Sequence, residues 1–226
     1  MKRAFLILLG LAVAAQGAEW VTQGTRIFFL GDSITKQGNR EGGFVNLIRQ
    51  HFARQRKQWG VEVIGAGVNG NTVFDALQRI SSDVFERKPN VVVAYLGIND
   101  IWNYLKKPAG AVSPERYETG IRQLVKECHS RQVRVVLCTP SVIGEVPTGG
   151  NSLDKKLDEY SEIVRKVAKE SGSGLCDLRK ALTEGLAAKK GRKKPRGIFT
   201  YDGVHLNDAG NRLVSEVVLT TLGETP

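Results

Sequence analysis

The sequence predicts an α/β fold in which an open sheet of five parallel strands carries helices on both faces. Five short apolar runs continue without polar interruption, as strands buried on both faces do. They alternate with longer segments in which apolar residues recur every three or four positions, the spacing of amphipathic helices. Each step between runs spans the dozen or more residues that a parallel crossover requires. These observations favour a doubly wound, flavodoxin-like topology.

The elements follow one another through residues 19–226, which we expect to form a single domain. The predicted strands are 27–30, 61–64, 91–96, 133–137 and 175–178. The predicted helices begin near residue 43 and then cover 73–84, 114–130, 153–170 and 207–221, the last capped by Asn207. The first strand breaks at Gly31 into a tight turn, so Ser33 is expected to precede a loop. Long loops are expected after the third and fourth strands.

Residues 1–18 have the order of a secretory signal peptide. Two basic residues, Lys2 and Arg3, precede an apolar block over 4–15, and the small residues Gly17 and Ala18 follow it. The block is shorter than the ~20 apolar residues that a membrane-spanning helix needs. We therefore predict a cleaved leader, export to the periplasm or the medium, and no stable membrane insertion afterwards.

The chain is basic. Its formal net charge of +10 falls to about +8 once the leader is removed. The densest basic cluster, residues 189–196, is interpreted as a solvated loop. Basic surfaces attract nucleic acid, anionic lipid or acidic polysaccharide, but an exported protein seldom meets nucleic acid, so no nucleic-acid partner is predicted.

The three cysteines do not form a metal-binding pattern. Cys128, Cys138 and Cys176 are widely separated, and none stands in a C-x-x-C pair. Cys138 and Cys176 fall in strand-like runs, where cysteine acts as a small hydrophobic residue. The sequence therefore predicts neither a metal site nor a disulfide framework.

Ser33 is the candidate nucleophile, because it lies just past the carboxyl end of the first strand, where open α/β sheets assemble their sites. A serine hydroxyl needs a base, and the base needs an orienting partner. His51 and His129 lie in charged helical segments and are interpreted as solvated. His205 follows Asp202 by three residues in a turn, a spacing that lets the carboxylate hold one imidazole nitrogen. Asp202 and His205 are therefore the predicted partners of Ser33.

Two further residues could hold a developing oxyanion. Gly70 and Asn99 both follow predicted strands, at the same edge of the sheet as Ser33. A glycine lets its backbone N–H approach a substrate closely, and an asparagine amide donates without adding a charge. Ser33, Gly70 and Asn99 are the predicted oxyanion hole.

These residues fall into four separated blocks. The blocks are Gly31-Asp32-Ser33-Ile34, Gly70, Gly97-x-Asn99-Asp100 and Asp202-x-x-His205. Their order and identity resemble the GDSL-type SGNH hydrolases across nearly the whole mature chain, with Ile34 where the name motif has leucine. The resemblance implies a three-layer α/β/α fold and ester hydrolysis through an acyl-serine, without metal or organic cofactor. It also implies Ser33, Asp202 and His205 as the triad and Gly70 and Asn99 as oxyanion donors.

Three alternatives stay open. Gly65-x-Gly67-x-x-Gly70 matches the letters of a dinucleotide-binding fingerprint, but it follows the second strand, and no acidic residue ends the next strand. A carbohydrate-binding protein could keep this fold without turnover. Among enzymes, the alternative is a lysophospholipase or thioesterase acting on longer acyl chains.

The substrate prediction depends on residues near the predicted site. Trp102 and Tyr104 follow Asn99 closely, and their rings suit the flat, partly polar face of a sugar. Several basic residues flank the same edge and could attract an acidic carbohydrate, namely Lys36, Arg40, Lys106 and Lys107. Trp102, Tyr104 and Arg40 are the candidate substrate-binding residues of an esterase acting on short-chain acyl (acetyl) esters of carbohydrates or small molecules.

Overall fold

Five parallel strands form the centre of the protein. The computed structural model describes residues 19–106, 110–146, 152–189 and 196–226, so the predicted leader and the middle of the 189–196 cluster lie outside the described residues. The strands are β1 (Arg26–Gly31), β2 (Glu62–Gly67), β3 (Val91–Tyr95), β4 (Arg134–Cys138) and β5 (Gly174–Cys176). All five predicted strands are therefore present, with boundaries shifted by a few residues.

The spatial order of the strands is β2-β1-β3-β4-β5, with every pair parallel. This order confirms the flavodoxin-like prediction, since the chain winds outward first to one side of β1 and then to the other. In register, Gly31 of β1 lies between Gly67 of β2 and Tyr95 of β3. The carboxyl ends of these three strands thus meet at one edge, at the point where the strand order reverses.

Helices cover both faces of the sheet in a three-layer α/β/α arrangement. They are α1 (Ser33–Gly38), α2 (Phe44–Gln55), α3 (Val73–Asp83), α4 (Ile98–Lys106), α5 (Pro114–His129), α6 (Asp154–Ser171), α7 (Leu178–Ala187) and α8 (Asp208–Thr221). Helix α2 packs against α8, whereas α5 packs against α3 and α6. As predicted, Asn207 caps α8, and its side chain accepts a hydrogen bond from the Gly210 N–H at 3.1 Å.

Three of these helices were not predicted. Ser33 does not precede a loop but begins α1, which Asp32 caps. The helix predicted near residue 43 is present as α2, which is therefore the second helix of the fold. The expected loop after β3 is in fact α4, which buries Ile98 and Ile101 one turn apart. Leu178, assigned to the fifth strand, instead begins α7 behind an Asp177 cap. Each of these three helices begins within three residues of the end of a strand, too close for periodicity to separate the two elements.

The core is continuous on both sides of the sheet. Residues 27–30 of β1 and 91–95 of β3 are at most 2% exposed, as the uninterrupted apolar runs predicted. All three cysteines are buried, free thiols. Among the described residues, none of the helices combines the length and the apolar character needed to cross a membrane.

Candidate active site

Ser33 lies at the junction of β1 and α1, at the reversal point of the strand order. The preceding residue, Asp32, is buried, and its Oδ1 accepts a hydrogen bond from the Ile34 N–H at 2.8 Å. This contact satisfies one of the N–H groups that a helix leaves free at its first turn. The cap therefore fixes the serine at the first position of the helix, where its side chain remains partly accessible.

The structure brings Ser33, His205 and Asp202 into one chain of contacts. The Oγ of Ser33 lies 2.9 Å from Nε2 of His205, although 172 residues separate them in sequence. The Nδ1 of the same imidazole lies 2.6 Å from Oδ2 of Asp202. A carboxylate can only accept, so Nδ1 carries the proton and Nε2 is free to accept the serine hydroxyl.

Asp202 also organises the turn between itself and His205. Its Oδ1 accepts the backbone N–H groups of Val204 and His205 at 2.9 and 2.8 Å. Burial raises the pKa of Asp202, but the hydrogen bonds from the His205 side chain and from these backbone groups outweigh it and hold the pKa below the ordinary value. The carboxylate is therefore ionised throughout the neutral range.

Tyr201 covers one face of the imidazole. Its ring stacks on His205 with a centroid separation of 5.7 Å and an interplanar angle of 15°. The Tyr201 hydroxyl donates to Oε1 of Gln37 in α1 at 3.0 Å. The loop that carries the histidine is thus tied to the helix that carries the serine. Sequence reasoning missed this residue, because an exposed tyrosine in a turn carries no signal of its own.

Asn99 and Gly70 line the same cleft as Ser33. The Nδ2 of Asn99 donates to the Asn71 carbonyl at 3.0 Å and to Oδ2 of Asp32 at 3.3 Å. Asn99 is therefore fixed at the start of α4 with its amide close to the helix that begins at Ser33. Gly70 has a left-handed backbone (φ +77°) and borders open space on its side-chain side.

The other two glycines of the fingerprint-like segment have a packing role. A Cβ on Gly67 would lie 2.2 Å from the Lys36 backbone nitrogen, and one on Gly65 would lie 2.2 Å from the Asn39 side chain. Both glycines therefore let α1 and its continuation lie directly on β2. This close approach of α1 to β2 explains why glycines stand at positions 65 and 67 without invoking a bound dinucleotide.

Arg79 supports the turn that contains Gly70. Its guanidinium donates to the side-chain oxygen of Asn71 at 2.5 Å and to the carbonyl oxygens of Gly31 and Ala66 at 2.9 Å each. It thereby joins the ends of β1 and β2 to the turn. Sequence reasoning missed Arg79, because a charged residue in an amphipathic helix is normally assigned to the solvated face.

Two buried carboxylates stand behind the site. Burial raises the pKa of Asp32 to about 6, against the opposing effects of the Ile34 N–H and of His205. Burial also raises the pKa of Asp100 to about 7, although its Oδ1 accepts the Val73 N–H at 3.1 Å. Both groups therefore titrate near neutrality, as acids in active-site regions often do.

These residues border a cleft of about 540 Å³. It is lined by Ser33, Gly70, Ile98, Asn99, Trp102, Asn103, Lys106, Asp202, Val204 and His205. All five predicted triad and oxyanion residues and Trp102 are in this set. Asn103, which sequence reasoning did not single out, also lines the cleft, because α4 presents Trp102 and Asn103 to it. Lys106 lies 4.8 Å from the Trp102 ring centroid, within cation–π distance.

The structure does not bring Tyr104 or Arg40 to this cleft. The Tyr104 hydroxyl donates to the Val112 carbonyl at 3.3 Å, and Lys156 lies 4.0 Å from its ring centroid. Side chains two positions apart on a helix point about 200° away from each other, so Trp102 and Tyr104 face different sides of α4. Arg40 is exposed after α1 and, like Lys36, is not a lining residue, whereas Lys107 lies outside the described residues.

The arrangement has the parts needed for acyl transfer. A hydroxyl contacts a base, the base contacts an ionised carboxylate, and two residues that carry N–H donors, Gly70 and Asn99, line the same cleft as the hydroxyl. Within the described ranges there is no group of three or more histidine, cysteine, aspartate or glutamate side chains that could hold a metal ion.

Comparison with known proteins identifies relatives over most of the chain. A solved acetyl xylan esterase, AlAXEase, superposes with a TM-score of 0.82 and is 35% identical, covering 86% of this chain and 98% of its own. An acetylxylan esterase of Geobacillus stearothermophilus is 29% identical and covers 90% of this chain and 96% of its own length. A Mus musculus protein, isoamyl acetate-hydrolyzing esterase 1 homolog, is 25% identical over 84% of this chain and 78% of its own length.

The family model described as GDSL-like lipase/acylhydrolase matches residues 29–213, which include every residue of the proposed triad and oxyanion hole. The chain therefore belongs to the GDSL-like lipase/acylhydrolase family and is a carboxylic ester hydrolase.

Proposed function

We propose that this protein is a serine esterase that removes short acyl groups, chiefly acetyl, from carbohydrates. The observation that carries the proposal is the continuous chain of contacts from Ser33 through His205 to Asp202, with spacings of 2.9 and 2.6 Å, in residues that line an accessible cleft.

In the proposed reaction, Ser33 Oγ attacks the ester carbonyl while His205 Nε2 accepts the hydroxyl proton. Asp202 accepts the Nδ1–H bond and stabilises the imidazolium. The imidazolium then gives its proton to the sugar oxygen as the ester C–O bond breaks, which leaves an acyl-serine. Water, activated by His205, attacks this intermediate, and the carboxylic acid leaves with Ser33 restored.

The oxyanion of each tetrahedral intermediate needs fixed donors. We assign this role to the backbone N–H groups of Ser33 and Gly70 and to the Asn99 amide, all in residues that line the cleft. The Arg79 contacts to the Gly31, Ala66 and Asn71 oxygens support the proposal, since they hold the Gly70 turn rigid. Preorganised donors avoid a reorganisation cost at the moment of reaction.

The substrate assignment depends on α4. Trp102 offers an aromatic face, and Asn103 and Lys106 offer donors on the same side of the cleft, a combination that suits a sugar ring with its apolar face and peripheral oxygens. Lys106 also favours an acidic glycan. Two relatives are named acetylxylan esterases and a third is named for isoamyl acetate, so acetyl is the acyl group that their names share.

The proposal includes export after removal of residues 1–18. Support comes from the order of charged, apolar and small residues in this segment and from a relative named as a lipoprotein in Bacillus subtilis. Mass spectrometry of the mature protein, recovered outside the cytoplasm, tests it. An N-terminus near Glu19 supports the proposal, whereas intact residues 1–18 contradict it.

The decisive experiment compares aryl esters of acetyl, butyryl and octanoyl groups, together with acetylated neutral and acidic polysaccharides, using Ser33→Ala as the control. The proposal predicts the highest kcat/KM for the acetyl ester and release of acetate from a glycan. Preference for the octanoyl ester without acetate release would favour a lysophospholipase or thioesterase. Binding of glycans without turnover of any ester would favour a non-catalytic carbohydrate-binding protein.

A further inference from the structure

Glu145 binds the segment that leads to the loop carrying Asp202 and His205. It lies between β4 and α6, is only 3% exposed, and faces the backbone of residues 198–200. Its Oε2 accepts the Ile198 N–H at 2.6 Å, and its Oε1 accepts the Phe199 N–H at 2.6 Å. The N–H and the hydroxyl of Thr200 also donate to Oε1, the hydroxyl at 2.8 Å. One buried carboxylate therefore accepts four hydrogen bonds from three consecutive residues.

The contacts continue from this carboxylate to the turn that contains Asp202. The Thr200 hydroxyl, which donates to Glu145, accepts the Gly203 N–H at 3.2 Å. The Gly203 carbonyl in turn accepts the Gly144 N–H at 2.7 Å. The backbone on both sides of Asp202 is thus bound to two consecutive residues of the β4–α6 connection.

A carboxylate fits this position better than an amide or a hydroxyl would. All four groups that face it are donors, and an ionised carboxylate has only acceptor sites. A cradle of successive backbone N–H groups is an arrangement that favours an anion. Burying a charge is costly unless such donors surround it, so the site is built for a carboxylate.

We propose that Glu145 is a positioning residue that sets the alignment of His205 with Ser33. Residues 198–200 form the base of the turn, an isolated antiparallel bridge joins Thr200 to Leu206, and the Tyr201 N–H donates to the His205 carbonyl at 3.0 Å. A shift at the base therefore moves the imidazole relative to a serine held on another element, α1. This inference rests on the proposed function for its kinetic test, but its geometry can be measured independently.

The first test replaces the carboxylate by an amide. In Glu145→Gln, one oxygen can still serve Phe199 and Thr200, but the NH2 group faces the Ile198 N–H, which is also a donor. We expect kcat for an aryl acetate to fall by about 10²-fold, the order expected for a displacement near 1 Å, with KM changed less than about twofold. The low-field proton NMR resonance of His205 Nδ1–H should shift or broaden.

The matched control is Asp158→Asn, the same chemical change in α6. Asp158 accepts from Arg179 Nε at 2.8 Å, and the contact has no part in the 198–205 segment. We expect this variant to keep wild-type kcat and the wild-type low-field resonance. Both variants are assayed well below their melting temperatures, so that the folded fraction does not limit the rate.

A second variant provides chemical rescue. Glu145→Ala leaves the N–H cradle empty, and added formate supplies a carboxylate of the right size, with chloride as the ionic-strength control. Recovery of kcat with formate but not with chloride supports a positioning role. If Glu145→Ala does not fold, the kcat of Glu145→Gln and its His205 NMR resonance still decide whether Glu145 is a positioning residue.

A folded Glu145→Gln with wild-type kcat and an unchanged His205 resonance would overturn the inference. So would a loss of activity that only follows the unfolded fraction. If the wild-type enzyme hydrolyses no ester, the proposed function fails, and the effect of Glu145→Gln on the His205 resonance then decides the positioning role alone.

Discussion

The carboxylate of Asp32 lies 3.3 Å from the side-chain nitrogen of Asn99, although 67 residues separate them. The second contact of that nitrogen, with the Asn71 carbonyl, is shorter at 3.0 Å. Both amide hydrogens are therefore engaged in the free enzyme. The longer contact, to Asp32, is the one that can yield when an oxyanion forms near Asn99, so the charge on Asp32 bears directly on the site.

The first prediction concerns that charge. In the proposed reaction, ionised Asp32 would stabilise the imidazolium that His205 becomes, and Asp32→Asn removes the charge while keeping an oxygen for the Ile34 N–H. We expect kcat/KM to fall about tenfold, equivalent to one pKa unit of interaction, above pH ~7. Because the pKa of Asp32 is about 6, protonation removes the same charge from the wild-type enzyme in acid, so the difference should shrink below pH 6.

Paired pH profiles of the wild-type enzyme and Asp32→Asn check this prediction. A ratio of kcat/KM values that stays constant between about pH 5 and 8 would count against it, because that outcome assigns the loss to shape and not to the titrating charge.

The second prediction concerns the proposed triad. Ser33→Ala and His205→Ala should each lower kcat by about 10³-fold or more, and the double variant should be little worse than either single variant, since the members act as a unit. Both side chains border the cleft and not the core, so the melting temperature should remain within a few degrees of wild type. Near-wild-type turnover by a pure Ser33→Ala preparation would show that another nucleophile acts.

The third prediction concerns stability. Burial raises the pKa of Asp100 to about 7, above its value in the unfolded chain, so the folded state binds the extra proton between about pH 4 and 7. Ionisation of Asp100 therefore destabilises the folded state, and the contribution of this group to the free energy of unfolding decreases as pH rises through that range. Among the described residues, no group donates a hydrogen bond to the Asp100 Oδ2 atom to offset the cost.

Asp100→Asn keeps an oxygen for the Val73 N–H and removes the charge. Its stability relative to wild type should therefore be greater at pH 8 than at pH 5. Denaturant unfolding of both proteins at the two pH values gives the comparison. An unchanged or reversed difference would mean that Asp100 does not carry a buried charge at pH 8.

The sequence was sufficient to predict the strands and the blocks near the site for a common physical reason. Strands buried on both faces require unbroken apolar runs, and parallel strands bring their carboxyl ends to one edge, so Ser33, Gly70 and Asn99 could be expected together. His205 could be identified because Asp202 stands three residues away. These signals are local, or follow from the topology alone.

The residues that were missed depend on contacts that no local pattern records. Glu145 meets its partners across more than 50 residues, and Arg79 reaches the Gly31 carbonyl across 48. Helix α4 was taken for a loop because it begins directly after Gly97, and that error placed Tyr104 beside Trp102. Once the segment is a helix, the two rings must point in different directions.

The last prediction uses that divergence to test the proposed role of Trp102 in binding a carbohydrate. Trp102 lines the cleft, whereas Tyr104, two residues later, contacts Val112 and Lys156 outside it. Trp102→Ala removes an aromatic face worth about 0.5–1.5 kcal/mol, so KM for an acetylated xylo-oligosaccharide should rise roughly 2- to 12-fold. KM for vinyl acetate, which has no ring to stack, should not change. Tyr104→Phe is the matched control and should leave both constants at wild-type values. An equal rise in KM for the two substrates would assign Trp102 to general packing of the cleft, and a rise confined to Tyr104→Phe would place the sugar on the other face of α4.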